Sequence, residues 1–406
     1  MKDIIVIGGG PAGMMAAATA AMQGASVALI EKNKDLGKKL LITGKGRCNV
    51  TNFCDEQTLL ANVAHNPKFL YGAFYRFNAQ DTMSFFENLG IELKVGRGGR
   101  VFPTSDRAVD IRNALSDFVH SCGVEIICDE ILSVGQEQNI LIFGKKKKYL
   151  ARRCIIATGG LSYPETGSSG DGYVFAKNFG HKIIPPTASL IGLRCKENFC
   201  RELSGITLKN VAVTFYQDKK CVYEDFGEFL FTHVGISGPT VLSASAHFDS
   251  FQDAYVKINF KPALSAEQLD KRILREFESG FNKSVQNALE GLLPKRLLTI
   301  VLDRSGIDLE QKVHQVSKQQ RETLLSNLFG FELRLAGKEG IERAIITAGG
   351  VSVDEISPKT MCSKLAENIF FAGEVLDVDA YTGGFNLQIA FSTGYVAGMS
   401  ASEGLL

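Results

Sequence analysis

Apolar positions along the chain fall into two styles. At both ends, short runs of β-branched and aliphatic residues stop at glycine or an acid: residues 4–7 before Gly8, 26–30 before Glu31, 155–157 before Gly159 and 369–372 before Gly373. Unbroken runs of this kind read as parallel strands buried on both faces. Between the first two, residues 14–23 are rich in Ala and Met, free of breakers and stopped by Gly24, as expected of a helix. Residues 56–95 carry aromatic and aliphatic side chains at helical spacing over 69–77 and 79–89, which assigns those stripes to the core. A helix is predicted over 110–122, a strand over 124–128 and a helix over 174–180. Residues 131–134, 140–143 and 148–157 predict a small antiparallel layer laid over the parallel sheet. From about Thr187 the style changes: 190–195, 208–216, 220–224, 226–231 and 254–260 read as strands of a β-rich unit. Residues 265–328 then form a run of helices, the first capped by Ser265 with Glu267 in its first turn. Residues 343–356 return to the strand-then-Gly-Gly pattern of 155–160. The chain is therefore α/β, with a discontinuous parallel-sheet domain at 1–187 and 341–406, an inserted β-rich domain at 188–264 and 329–340, and a helical domain at 265–328.

Gly8, Gly10 and Gly13 form G-x-G-x-x-G where the first strand meets the first helix. The glycines serve a tight turn, close approach of backbone to a pyrophosphate, and close packing of helix on strand. Free N–H groups at the helix start hold the phosphates. Glu31, 18 residues after Gly13, ends the second strand, where a carboxylate accepts the hydrogens of a ribose diol. Strand, helix, strand and acid in this order predict a dinucleotide site.

The chain has 406 residues, 45% apolar and 22% charged, with a net charge of +1. That balance fits a large globular core and gives no reason to expect nucleic acid or acidic lipid as a partner. The Lys145–Lys148 run reads as a solvated hairpin tip. Nine cysteines, with no C-x-x-C pair and several inside apolar runs, predict a reducing, cytoplasmic setting. The N-terminus leads straight into the glycine turn and does not read as a signal peptide. No apolar stretch approaches membrane-spanning length, so a soluble protein is expected.

Glycine-rich loops carry the remaining chemistry. Residues 36–52 (LGKKLLITGKGRCNVTN) suit contacts to a polyanion: Arg47 presents a forked guanidinium, and Asn49 and Asn52 offer amides. Residues 96–106 carry Arg97 and Arg100. Thr158 and Gly159 give a second place for close backbone approach, followed by a Gly- and Ser-rich loop at 161–173. His233 lies in a glycine-punctuated loop, as either a proton donor or a histidine bonded within its own turn. Gly373 and Glu374 follow the last strand, and Gly383, Gly384, Phe385 and Asn386 open a helix whose N-terminus suits negative charge. The spacing Cys48-x₅-Cys54 argues against a redox pair and favours a backbone-positioning role for Cys48.

Residues 8–13, 31, 36–52, 155–160, 347–351 and 372–398 together resemble a known family. It comprises bacterial FAD-dependent flavoproteins, including aminoacetone oxidase and a reductase of unsaturated 3-oxo bile acids, within the two-dinucleotide-binding-domain flavoprotein superfamily. The resemblance spans essentially the whole chain. GKKLLITGKGRCNVTN and AGEVLDVDAYTGGFNLQIAFSTGYVAG are its most specific motifs. It implies a discontinuous Rossmann-like FAD-binding domain with an inserted β-rich domain and a small helical domain. It further implies that Gly8, Gly10, Ala12 and Gly13 hold the FAD pyrophosphate and Glu31 the adenosine ribose. Lys32, Lys39, Arg47, Cys48 and Asn49 line the cofactor, and Thr158 and Gly159 its adenosine side, with Leu132 offering backbone to the adenine. Gly373 and Glu374 meet the ribityl-phosphate region, and Gly384, Phe385 and Asn386 the flavin ring. Ala380 stands where a Gly is expected and Phe385 where a Tyr is common, so a ring-edge hydroxyl contact is missing.

The expected activity is FAD-dependent oxidation or reduction of a small organic or steroid-like substrate. The favoured form is NAD(P)H-linked reduction of an activated C=C bond, with NADH or NADPH binding transiently because no second nicotinamide domain is visible. An oxygen-dependent amine oxidase and a non-catalytic flavin sensor are the alternatives. RNA modification is disfavoured by the neutral charge. Tyr163, His233, Tyr381 and Arg100 are the candidate proton donors, and each has an equally simple structural role. No metal site and no nucleic-acid or membrane partner is expected; the oligomeric state is left open.

Overall fold

The computed structural model describes residues 1–248 and 250–405. The chain divides into two compact units, 1–189 with 340–406, and 190–339. In the first, strand β1 (Lys2–Ile7) is followed by helix α1 (Pro11–Met22) and strand β2 (Val27–Glu31). β1 pairs in parallel with β2 on one side and with the strand Lys148–Ile156 on the other. Parallel pairing continues outward to Glu125–Cys128 beside β2 and to Ile369–Phe371 beside Lys148–Ile156. Helices cover such a sheet, so Ile4, Ile5, Val6, Ala28, Leu29, Ile155 and Ile156 are all fully or almost fully buried.

Residues 131–157 differ from the predicted separate layer. Strands Ile131–Gln136 and Ile140–Gly144 join the same sheet through the first half of Lys148–Ile156, whose second half continues into the parallel part. One long strand thus serves both pairings. The lysine run at the hairpin tip is exposed as expected, with Lys148 lying 4.8 Å above the Phe143 ring. Between 56 and 95 the chain is less helical than predicted. It forms the short helices Glu56–Ala61, Tyr71–Arg76 and Ala79–Asn88, and the strand Val63–His65 pairs with Asp379–Ala380. That strand is three residues long and its partner lies over 300 positions away, so no local pattern marks it.

The C-terminal helix, Phe385–Ser402, is buried over most of its circumference, including the polar Gln388, Ser392 and Thr393, and packs along α1. The approach is close because Gly398 faces α1: a Cβ there would stand 2.5 Å from the Ala16 carbonyl oxygen.

In the second unit, six strands close into a barrel, in the order Leu193–Cys195, Gly235–Ser237, Lys220–Phe231, Thr207–Gln217, Tyr255–Asn259 and Phe331–Lys338. The helices Ala266–Ser279, Lys295–Arg304 and Lys318–Phe329 share one hydrophobic core with the barrel, so strands and helices form a single unit here. Ser265 caps its helix as predicted, in a capping box with Gln268.

Candidate functional site

Five parallel strands of the first unit end on the same side. At or just past their carboxyl ends lie Gly8, Glu31, Asp129, Thr158 and Glu374, and all five residues line one cleft. Ligands of open α/β sheets bind at this edge. The cleft encloses about 1310 Å³, counting its mouth open to solvent.

α1 points its N-terminus into the cleft. Gly10 is its cap residue, Pro11 occupies the first turn, and no acidic side chain lies there to offset the partial positive charge of the helix end. A Cβ at Gly10 would meet nothing within 4 Å, so the turn leaves a cradle open to the cleft. Gly8 has φ +107, and Gly13 packs so tightly that a Cβ would overlap the Gly8 carbonyl. Gly13 therefore seats helix on strand, while Gly8 and Gly10 shape the cradle.

Glu31 accepts the Gly9 amide at 2.7 Å through Oε2 and the Asn33 amide at 2.8 Å through Oε1. Its carboxylate is thus fixed beside the glycine turn. Lys32 donates to Asp171 at 2.7 Å, and both line the cleft. Lys39 donates to Glu374 at 2.8 Å and to Ser162 at 2.6 Å, while Glu374 also accepts Ser162 at 2.9 Å and the Thr347 amide at 2.9 Å. A lysine held this way presents fixed positive charge at low entropic cost. Asn386 grips the backbone of Ala380 from both sides, accepting its amide at 2.9 Å and donating to its carbonyl at 2.6 Å.

Not every expected residue reaches the cleft. Gly8, Gly10, Ala12, Glu31, Lys32, Lys39, Thr158, Gly159, Glu374 and Asn386 line it. Arg47 is exposed and lies 4.6 Å over the Phe102 ring. The Asn49 side chain accepts the Val101 amide at 3.1 Å, and Cys48 is fully buried with φ +59. Gly373 and Gly384 are turn glycines with φ +76 and +100, and Phe385 is core. Leu132 is 58% exposed; strand alternation puts its neighbour Ile131 into the cleft instead.

Asp129 was missed. Burial opposes its ionisation, but hydrogen bonds from Tyr149, Lys146 and Glu130 hold its carboxyl below the usual range. It ends a parallel strand next to β2, so the rule that found Glu31 would also have found it. Asn33, Lys38 and Asp171, also in the lining, carry no comparable signal.

Of the proton-donor candidates, Arg100 sits half-buried on Arg100–Pro103, opposite Asn52. Tyr163 is half-buried in a left-handed turn, its carbonyl accepting Thr166. Tyr381 follows Ala380; burial and then the Asp379 charge push its phenol up, so it keeps its proton at neutral pH. None of the three lines the cleft. His233 is exposed on a loop of the second unit.

The residues fit FAD: an uncompensated helix start with an open glycine cradle for the pyrophosphate, and a fixed carboxylate for the ribose. Thr158, at the cleft wall, also keeps a buried hydroxyl without a partner. Fold and cleft define an FAD-dependent oxidoreductase of the Rossmann type. The chain belongs to the family described as the HI0933-like protein Rossmann domain, which matches residues 2–400. It is 31% identical to a 3-dehydro-bile acid delta(4,6)-reductase of Clostridium scindens, over 99% of this chain and 100% of that one. It is 33% identical to a ribosomal RNA dihydrouridine synthase of Haemophilus influenzae, over 99% of each chain. Its fold resembles that of a 3-ketosteroid-delta4-(5alpha)-dehydrogenase from Rhodococcus jostii RHA1, solved with 4-androstene-3,17-dione. The TM-score is 0.53 at 13% identity, covering 99% of this chain and 97% of that one. A relative named for ribosomal RNA removes the ground on which net charge set nucleic acid aside. Among the described residues, no helix is long and apolar enough to cross a membrane.

Proposed function

We propose that the protein reduces a C=C bond conjugated to a carbonyl, with FAD in the cleft and NADH or NADPH as transient electron donor. The observation that carries this reading is the cleft itself, with its open glycine cradle at the head of α1 and Lys39 fixed by Glu374 and Ser162. The names of the two relatives supply the reaction type. A 3-dehydro bile acid with Δ4,6 unsaturation holds its double bonds in conjugation with the C3 carbonyl. Uridine becomes dihydrouridine by saturation of the ring C=C conjugated to its C4 carbonyl. Saturating the Δ4 bond of a 3-oxo steroid and the ring C=C of uridine each adds hydride at the carbon β to the carbonyl and a proton at the α carbon, while the more distant Δ6 bond takes its hydride at the δ carbon.

Bound FAD supplies the hydride. The chain's own residues bind, orient and protonate. Amides of the first turn of α1, which lack intrahelical acceptors, hold the pyrophosphate, and Glu31 accepts from the ribose. The Lys39 ammonium stabilises negative charge developing in the cleft. Tyr381, which keeps its proton at neutral pH, is one proton donor to test through its Oη, beside the segment that Asn386 fixes. Tyr163, Arg100 and His233 are the other donors to test.

An anaerobic stopped-flow experiment tests the reading. The flavin is expected to bleach rapidly with NADH or NADPH and to recover on addition of a 3-oxo-Δ4 steroid or a uridine-containing RNA, with slow recovery in air. Bleaching only by an amine such as aminoacetone, with fast recovery in oxygen, replaces the reading with an oxidase. Absence of bleaching by every donor replaces it with a flavin sensor.

A further inference from the structure

Two loops of the first unit meet across the cleft. One, 32–39, leaves the carboxyl end of β2, and the other, 157–170, leaves the carboxyl end of Lys148–Ile156. Those strands are not neighbours. β1 lies between them, so their ends stand two strand spacings apart, about 9–10 Å. Four side chains of the first loop nonetheless reach the second. Lys32 donates to Ser169 and, at 2.7 Å, to Asp171 at the start of the next helix. Asn33 Nδ2 donates to the Thr166 carbonyl at 3.0 Å, Lys38 to the Glu165 carbonyl at 2.6 Å and Lys39 to Ser162 at 2.6 Å. Gly167 packs so closely that a Cβ there would stand 2.6 Å from Asn33 Nδ2. The loops therefore bridge the carboxyl end of β1, where the glycine turn lies, and Lys32, Asn33, Lys38, Thr166 and Gly167 all line the cleft.

The bridge can open without disturbing the sheet. Its ends are anchored: the Leu161 and Ser162 amides donate to Thr347 Oγ1 at 2.8 and 3.1 Å, and the helix Asp171–Asn178 begins just past Gly170. Between these anchors the backbone bonds are internal, from the amides of Thr166, Gly167 and Ser169 to the carbonyls of Tyr163, Pro164 and Gly167. Tyr163 is half-buried and Pro164 exposed, so among the described residues 163–170 bury no large apolar side chain. What ties 163–169 to the facing loop is the set of side-chain bonds from Lys32, Asn33 and Lys38. Segments held by partly exposed hydrogen bonds and few apolar contacts open far more readily than a domain unfolds. A dinucleotide with its pyrophosphate at the head of α1 carries a ring system on each side of that point. It is trapped under a closed bridge and free to leave under an open one.

We infer that residues 163–170 are a strap that retains FAD in the cleft, fastened by Lys32, Asn33 and Lys38, and that opening of the strap sets the rate at which FAD is released. The inference rests on FAD in the cleft and is independent of the reaction proposed above.

Exchange of bound FAD for isotopically labelled FAD tests it, in the full-length holoprotein with no electron donor or substrate present. Mass spectrometry after desalting reads the label retained. Ser169 lies outside the cleft lining, and S169A is expected to exchange about fivefold faster than wild type, the effect of one hydrogen bond of ordinary strength. K38M/S169A, with two fastenings removed, is expected to exchange about 25-fold faster. A glutamate-specific protease gives a second reading, because Glu165 is exposed on the strap. With FAD in excess, cleavage after Glu165 is expected to quicken in K38M/S169A by the same factor as exchange. Wild-type protein nicked at that bond keeps every lining residue and is expected to exchange FAD at least as fast as K38M/S169A. Unchanged exchange in S169A and in the nicked protein overturns the strap. So does faster exchange in K38M/S169A without faster cleavage after Glu165, which makes Lys38 a direct contact of the cofactor only. A protein that meets these expectations yet shows no bleaching with NADH or NADPH keeps the strap and loses the proposed reaction.

Discussion

Cys48 lies fully buried in a left-handed turn, and burial pushes its thiol up to about 12 against a smaller opposing pull from the Thr43 hydroxyl. Cys54 is raised to about 11, by burial first and then by the neighbouring Asp55 and Glu56 charges. A protonated thiol is neither nucleophile nor redox partner, so Cys48→Ala combined with Cys54→Ala should leave NAD(P)H-driven turnover within about twofold of wild type. Titration with a thiol reagent should consume Cys128 and Cys221, both exposed, long before Cys48. Loss of turnover in the double variant with FAD still bound would restore the redox pair. The sequence favoured a positioning role for Cys48, which lies in a left-handed turn. Glu31 was equally legible, because distance from a glycine turn and the end of an apolar run are local signals. Leu132 was not, since a one-residue difference decides which side of a strand faces a cleft.

At the scale of elements, the glycine turn with its flanking strands and α1 could be read in the sequence because each piece is local. The segment 36–52 was recognised as unusual, but the roles within it were not. Lys39 reaches the cleft, while Asn49 and Asn52 hold backbone at Val101, Gly98 and Gly383. Those partners lie far along the chain, and spacing does not encode them. His181 is another such join. It is buried just after the helix Asp171–Asn178, its Nδ1 3.1 Å from Glu355 and its Nε2 2.8 Å from Ser363. Ser363 Oγ already accepts the amides of Leu365 and Ala366, so its hydrogen goes to Nε2 and the ring donates from Nδ1 to Glu355. Burial lowers the imidazole below its ordinary value, with Glu355 pulling the other way. The unfolded ring takes up a proton below about pH 6.5, and the folded ring only at lower pH. The stability this provides is therefore fully present above about 6.5 and is lost as pH falls through the folded value. Melting temperature measured from about pH 7 down to about pH 5 should fall, and the fall should be shallower in His181→Gln. Parallel curves for the two proteins would remove His181 from the account.

For the whole molecule, the two crossings of the chain at 189–190 and 339–340 separate two hydrophobic cores of different make. The sequence reading put its own boundaries at 187–188 and 340–341, where composition changes. The sharing of one core by barrel and helices was not legible, because a helix stripe does not announce its partner. Each unit buries enough apolar surface to melt as a cooperative body. Every residue lining the cleft belongs to the first unit, so FAD should stabilise that unit alone. At a free concentration about one hundred times its dissociation constant, a ligand adds about 2.7 kcal/mol to the state that binds it. For a unit of this size, that raises the midpoint by about 5–11 °C. Scanning calorimetry of holoprotein and FAD-stripped protein should therefore show two transitions, with only one moving on FAD removal. The fixed transition should be the one displaced by substitutions in the barrel core, such as Phe229→Ala, which removes a fully buried ring at a cost of about 3–5 kcal/mol. A single transition that shifts as a whole with FAD would mean that the cofactor's binding energy reaches both cores. In that case the cleft could not be treated as the property of one unit.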